Sequence, residues 1–515
     1  MNNILLDRFR WETVPFFYRY FSSAKKKVKI ISYNGIKPLK IDTDKVTLLE
    51  DFEVSKGTFF LQTPWCLNSN DLKFYSKHEG LFINLLSRFT ISPSNWSVNE
   101  MATHGLNLLN FWKYQLLEKK ITVCYGYYTP HDPSSFSLYM VCKYLKIPYI
   151  FIDCPQIFSK YRHLSCSLEN RNLLIQNKFS KSPIWVKDII HNYSIKIKKN
   201  FKSAQPDFMR FKISNKPLHE RINYYRLKTF KIIKKEKFRS IDIIIRKLFN
   251  KIVPQPPIFF KFNRNFWNSK AANIGRFKFL LIKIRIYFRL RNIRNFYIKN
   301  CFKLDQHKKI NYIYFAAHLA PEASLLPMSM WNANQEAALK SIIKVLPKNW
   351  NIIYKANPSQ FNFDANHSAY IDWYSKEYYK NLLKTGKIIF APINFSSVEL
   401  INKSKGVATI CGTTSLEAVF NEKNCIIFSS IWFEKLNGIY LCKSQKDLKL
   451  VINKMKNQEK PNPQPLKNLF LEQTTFKVSR YVPISFAKKD LKTVADKFLS
   501  SEKIFKKLGP EKWNF

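Results

Sequence analysis

The chain has 515 residues, 46% of them hydrophobic and 16% aromatic, and a formal net charge of +50 at pH 7. That length builds two or three domains with cores of their own, and the apolar content excludes wholesale disorder. The charge calls for an anionic partner, namely nucleic acid, an acidic membrane surface or a charged substrate, but a composition rich in Lys, Asn, Ile and Phe and poor in Gly also spreads Lys over neutral surface positions.

At the start, M-N-N-I-L-L-D-R-F-R-W has no apolar core of signal-peptide length. No run of about 18 uncharged apolar residues occurs, so no membrane span is expected. Cys66, Cys124, Cys142, Cys154, Cys166, Cys301, Cys411, Cys425 and Cys442 are scattered without a C-x-x-C pair. Several sit in apolar runs as small hydrophobes, which argues against a metal site or disulfide framework and for a reducing cytoplasm.

From about Val28 to Ile190, within a first domain assigned to 1–195, short apolar runs alternate with helix-like segments. The clearest unit is I-T-V-C-Y-G-Y-Y as a strand, T-P-H-D-P-S-S as a loop, F-S-L-Y-M-V-C-K-Y-L as a helix and I-P-Y-I-F-I-D as the next strand. That is a β-α-β unit of a parallel sheet. In its loop, His131 and Asp132 suit a general base or an acceptor-hydroxyl contact; an Asp-Pro turn with a solvent-facing His is the plainer alternative.

Residues 196–309 carry 32 Lys/Arg against 5 Asp/Glu, with aromatic and aliphatic residues interleaved. Two basic helical segments around a break at Pro254, Pro256 and Pro257 are expected. Burial of one side against an anionic membrane surface or a partner is one reading, and a solvated face is another. No R-G-G, zinc-finger or RNP-type pattern supports nucleic acid.

Alternation returns over 310–480, with 481–515 expected as a C-terminal helix. N-Y-I-Y-F-A-A leads into H-L-A-P-E-A-S, where Glu322 and Ser324 stand after a strand, or where Pro321 and Glu322 merely start a helix. W-N-I-I-Y-K-A ends in K-A-N-P-S-Q, which places Lys355 and Asn357 toward a base or phosphate, or forms a plain turn. V-A-T-I-C stops at Gly412, and Thr413, Thr414 and Ser415 precede L-E-A-V-F. The amides there can cradle an anion while Glu417 accepts from a sugar hydroxyl; the alternative is that Thr414 or Ser415 caps the helix. No G-K-[ST] follows, so this is not a P-loop. Four β-α units in series predict a second doubly wound domain, with a ligand at the carboxyl ends of the strands.

Taken together, A-P-E-A-S-L-L-P, N-A-N-Q-E-A-A-L, L-P-K-N-W-N-I-I-Y-K-A-N-P-S-Q-F and S-S-V-E-L-I-N-K-S-K-G-V-A-T-I-C-G-T-T-S-L-E-A-V-F resemble the capsule and surface-polysaccharide biosynthesis glycosyltransferases. So do I-I-F-S-S-I-W-F and, in the first domain, T-P-H-D-P-S-S-F-S-L-Y-M-V-C-K-Y-L-K-I-P. The match spans about residues 120–165 and 310–445. It implies a GT-B-like fold: two Rossmann-like doubly wound domains facing across a cleft, here with a basic helical linker insertion. The resemblance is also what suggests that the C-terminal helix packs back on the first domain.

The resemblance also implies transfer, without a metal or other cofactor, of a sugar from a nucleotide-sugar donor to a capsule or lipopolysaccharide acceptor at the inner face of the cytoplasmic membrane. Carried over by position, Glu322 and His131 are catalytic candidates, joined by Asp132 from the loop reading above. Gly412, Thr413, Thr414, Ser415 and Glu417 match the donor loop, and Ser324, Lys355 and Asn357, placed after strands, complete the donor-binding candidates. The family carries a histidine before the proline of K-E-H-P, whereas this chain has Asn357, a departure that argues against a CMP-sugar donor. Two further readings stay open: a sugar-nucleotide binder without catalysis, and a basic nucleic-acid-binding α/β protein.

Overall fold

The runs Ile4–Leu6, Ile30–Ile31 and Val123–Tyr125 are inaccessible to solvent, the burial expected of parallel strands covered on both faces. A computed structural model of the chain describes residues 2–34, 41, 45–88, 97–153, 161–171, 276–303, 308, 310–361, 373–462, 475–477 and 487–508. The first basic segment and its Pro-rich break lie outside these residues.

The first sheet has seven strands in the order β13-β6-β5-β4-β1-β2-β3. They are β1 (Asn2–Arg10), β2 (Lys26–Asn34), β3 (Thr47–Glu50), β4 (Val123–Gly126), β5 (Tyr149–Asp153), β6 (Tyr161–Ser165) and β13 (Thr475–Lys477). β1 to β5 are parallel, and β6 and β13 continue the edge antiparallel. Helices α1 (Val14–Ser23), α2 (Asp51–Lys56), α3 (Ser69–Ser87), α4 (Val98–Glu118) and α5 (Pro133–Tyr144) connect them. The α5 helix starts three residues before its apolar run because Asp132 caps it, Oδ1 accepting from the Ser135 amide at 3.0 Å, and Pro133 fills the first turn.

The second sheet has six strands, all parallel, in the order β12-β11-β10-β7-β8-β9. They are β7 (Asn311–Ala316), β8 (Trp350–Lys355), β9 (Ile388–Phe390), β10 (Gly406–Thr409), β11 (Cys425–Ile427) and β12 (Ile439–Leu441). The helices α7 (Gln335–Ile343), α8 (Lys376–Lys384), α9 (Ser397–Lys403), α10 (Thr414–Phe420) and α11 (Gln445–Lys456) belong to this half. Both sheets reverse direction beside their first strand, between β1 and β4 and between β7 and β10, the doubly wound pattern with its switch point. The chain is therefore α/β with two Rossmann-like domains facing across a cleft, the GT-B-like architecture.

Helix α6 (Arg276–Lys299) precedes the second sheet. Its C-terminal half buries Leu290, Ile293 and Tyr297. The Tyr297 hydroxyl donates to Ala391 O at 2.9 Å and accepts from the Ala356 amide at 3.0 Å, so this helix braces the turn after β8. Helix α12 (Leu491–Leu508) returns to the first core, where Val494 and Phe498 are fully buried. Its Glu502 takes a hydrogen bond from Asn2 at 3.1 Å and an ion pair from Lys26 at 2.7 Å. The return to the first sheet begins at Thr475, inside the span 310–480 that the sequence assigns to the second domain.

Candidate active site

A cavity of about 250 Å³ opens at the carboxyl ends of β7, β8 and β10, directly at the switch point of the second sheet. The first domain closes it with Asp153, the last residue of β5, and with Arg171.

Its floor is the turn between β10 and α10. The amides of Ser415, Leu416 and Glu417 bond back to Gly412 O or Thr413 O. Among the described residues no partner meets the amides of Gly412, Thr413 and Thr414, which all line the cavity. No side chain caps α10: Thr413 occupies the cap position without a capping bond, and Ser415 turns inward to donate to Gly412 O at 2.6 Å. Thr413 and Thr414 line the cavity, and Ser415 is fully buried and does not. Glycine at 412 is a packing requirement. A Cβ there would stand 2.8 Å from Thr409 Oγ1 and 3.3 Å from His318 Nε2.

His318 stands just beyond β7. The Cys411 amide donates to its Nε2 at 3.1 Å, so the ring is neutral there and carries its proton on Nδ1. Burial draws its pKa down to about 4, in agreement. Gln335 pins the backbone of the same residue, accepting from His318 N at 2.8 Å and donating to His318 O at 3.2 Å. No described residue meets Nδ1, and the ring lines the cavity. Nothing in H-L-A-P-E-A-S marks His318 in the sequence, where A-P-E is the recognisable part. The signal was its position, two residues past the central strand of a doubly wound sheet.

Glu417 projects from the first turn of α10, is 6% exposed, and leaves Oε2 buried without a hydrogen bond. Burial pushes its carboxyl up to about 8, against the pull of the nearby Lys355 ammonium. Burial likewise draws Lys355 down to about 8, with Glu417 opposing. Lys355 Nζ donates to Phe395 O at 2.7 Å and to Ser397 Oγ at 2.8 Å. Asn357 Oδ1 accepts from the Ser359 amide at 3.0 Å, which fixes the amide orientation and leaves the NH₂ group as a donor at the cavity wall.

Glu322 and Ser324 line the opposite side, Ser324 Oγ donating to Glu322 Oε2 at 2.9 Å. Burial raises the Glu322 pKa, and the Ser324 bond and the Arg88 guanidinium only partly offset it. Arg88 bridges the domains, donating to His131 O at 2.9 Å and to Leu326 O.

The two first-domain candidates are committed elsewhere. His131 Nδ1 bonds Thr129 O at 2.7 Å, and burial and Arg8 draw its pKa down to about 4. Asp132 caps α5 and pairs with Arg8. Neither lines the cavity. The first-domain groups that do, Asp153 and Arg171, were not singled out from sequence. They pair at 2.9 Å, and the Arg171 amide donates across the cleft to Ser430 Oγ at 3.0 Å. Burial opposes ionisation of Asp153, but Arg171 and His163 outweigh it and hold the carboxyl below its ordinary range. Arg171 comes just past β6, after a stretch with no motif to mark it.

No protein-family profile and no curated protein matches the sequence. Among solved structures, the UDP-GlcNAc 2-epimerase of Methanocaldococcus jannaschii in complex with UDP-GlcNAc and UDP is 11% identical, covering 90% of this chain and 95% of its own, with a TM-score of 0.24. KpsC of Thermosulfurimonas dismutans, a beta Kdo 2,7 transferase, is 14% identical over 42% of this chain and 62% of its own, at 0.22. An apo structure of OtsA is 9% identical over 99% of both chains, at 0.26. Likenesses of this size carry no functional argument. The groups on the cavity wall carry it instead.

Proposed function

We propose that the chain is a glycosyltransferase that moves a sugar from a nucleotide-sugar donor to a cell-surface polysaccharide or lipid-linked glycan. The observation that carries this reading is convergence. Gly412, Thr413 and Thr414, whose amides have no partner among the described residues, His318, whose Nδ1 meets none of them, and Glu417, whose Oε2 is buried without a hydrogen bond, all line one cavity at a switch point. Amides and a neutral imidazole N–H are donors suited to phosphate oxygens. A buried carboxyl that keeps its proton at neutral pH both donates to and accepts from a sugar hydroxyl.

In the reaction a bond forms between the acceptor oxygen and the anomeric carbon, while the bond from that carbon to the donor phosphate breaks and leaves its electron pair on phosphate. Donors fixed by the fold meet the growing charge without reorganising. Glu322, with its raised pKa, takes the proton of the acceptor hydroxyl. Asp153 is held ionised by Arg171, so it is the poorer base and instead positions Arg171 toward bound anions.

Two arms test this. Nucleotides and nucleotide sugars of the CMP, UDP and GDP series should raise the melting temperature for one base, and Thr414→Ala should abolish that shift. Glu322→Gln should keep the shift and lower kcat by about 10²–10⁴-fold. Full activity in both variants sinks the site assignment. The departure at Asn357 favours a second reading, a sugar-nucleotide binder without catalysis; a nucleotide shift with no turnover on any donor would select it. Steeply salt-dependent RNA or DNA binding with no nucleotide shift would replace both.

Helix α6 supports a membrane-facing role. Leu281, Ile284 and Phe288 are 65%, 44% and 61% exposed, flanked by exposed Arg285, Arg289 and Arg291. Apolar anchors at one-turn spacing beside arginines suit the interface of an anionic bilayer. No helix among the described residues is long and apolar enough to cross a membrane.

A further inference from the structure

A second cavity, about 500 Å³, lies beside the first, walled by the loops after β7, β11 and β12 and touched from the first domain by Glu169. Ser430 lines both cavities. The partition between them is thin. Ser329, on the second cavity, donates to Ser324 O at 2.8 Å, and Cys411 Sγ meets the same oxygen at 3.2 Å, while Ser324 and Cys411 line the first.

The second cavity is lined differently. Trp331 is 49% exposed and held by ring contact with His78 of the first domain at 4.9 Å. Around it stand Ser429, Ser430, whose Oγ accepts from the Arg171 amide, and Gln445, whose Oε1 is buried without a bond. Lys443 is at the rim. A half-open indole set among hydroxyl and amide groups is the chemistry that recognises a carbohydrate: the ring covers the C–H face of a sugar, and the short polar groups answer its hydroxyls. Phosphate has little hold here, because among the described residues Lys443 is the one unpaired cation lining the cavity, at its exposed rim, and Glu169 is already neutralised by Lys143 at 2.7 Å.

We propose that this cavity is the acceptor subsite, binding the non-reducing end of a glycan. The terminal sugar passes Ser430 into the first cavity, where its hydroxyl meets Glu322. The assignment rests on the transferase reading for its direction, but the site itself is a glycan site whatever is transferred.

The test uses the full chain, labelled and applied to an array of immobilised hexose, N-acetylhexosamine and sialic-acid oligosaccharides. The parent chain retains at least one glycan class. Trp331→Ala, at a half-exposed position, weakens that retention by about tenfold or more, and Asn332→Trp, which fills the cavity from its exposed rim, does the same. Both variants keep the nucleotide-induced rise in melting temperature. Undiminished retention in either variant overturns the proposal, as does a parent chain that retains no glycan. Loss of the nucleotide shift in Trp331→Ala also overturns it, because Trp331 would then stack on the nucleobase. A parent chain with glycan retention lost in both variants, yet with no response to any nucleotide, supports the subsite and removes the transferase reading.

Discussion

Glu417 keeps its proton at neutral pH because its carboxyl sits beneath the cavity with no hydrogen-bond partner, and this has a measurable consequence for stability. The folded pKa is about 8 against 4.5 for the free side chain. Below pH 4.5 both states are protonated and the group is neutral in its effect. Between 4.5 and 8 the unfolded chain ionises while the folded one does not, so the stability present at low pH is progressively lost. Glu417→Gln should therefore melt at the same temperature as the parent at pH 4.5 and higher by ~10 °C at pH 8.5. Differential scanning calorimetry at the two pH values checks this; equal shifts at both would mean the carboxyl is not protonated in the fold. Glu417 was visible in the sequence as a first-turn acid of a helix after a strand. Its protonation was not, because that depends on burial by residues far along the chain.

At the scale of elements, the second domain was the readable one. Its strands follow one another with helices between, so each apolar run announces itself, and the turns after β7, β8 and β10 could be placed at the cleft. The first domain hid its central strand. β1 carries Asp7 and Arg8 in its interior, where Tyr149 donates to Asp7 Oδ2 at 2.5 Å and Asp51 pairs with Arg8 at 3.2 Å. Two charges interrupt the apolar run, and only tertiary partners make them tolerable. Helix α6 makes a prediction of its own kind. Phe288→Glu with Arg285→Glu and Arg289→Glu should cut co-sedimentation with phosphatidylglycerol vesicles by at least about tenfold, at ~1 kcal/mol per arginine. Partition onto phosphatidylcholine vesicles should be low in both proteins. Equal sedimentation of variant and parent on the anionic vesicles would remove the membrane from the proposal.

Across the whole molecule, the first domain is assembled from both ends of the numbering. Phe498 of α12 packs on Tyr125 with ring centroids 4.9 Å apart and on Phe9 at 6.1 Å. Phe498→Ala should weaken the first domain by ~3–5 kcal/mol. Hydrogen exchange should show faster amides in β1 and β4 with those of β7 and β8 unchanged; uniform loss of protection would mean the two cores unfold as one. No local pattern could have paired these segments, since the pairing is written only in complementary apolar faces and in Glu502.

Lys26 and Glu502 are separated by 476 residues, which bears on how the protein is made. A ribosome adding ~5–20 residues per second completes β1 to β5 long before α12 emerges. For that interval the groove around Phe9, Phe21 and Tyr125 stays uncovered, and by its end the second domain has every strand it needs. The half of the chain that begins first is the one that finishes folding last, and it is the half expected to engage chaperones during translation.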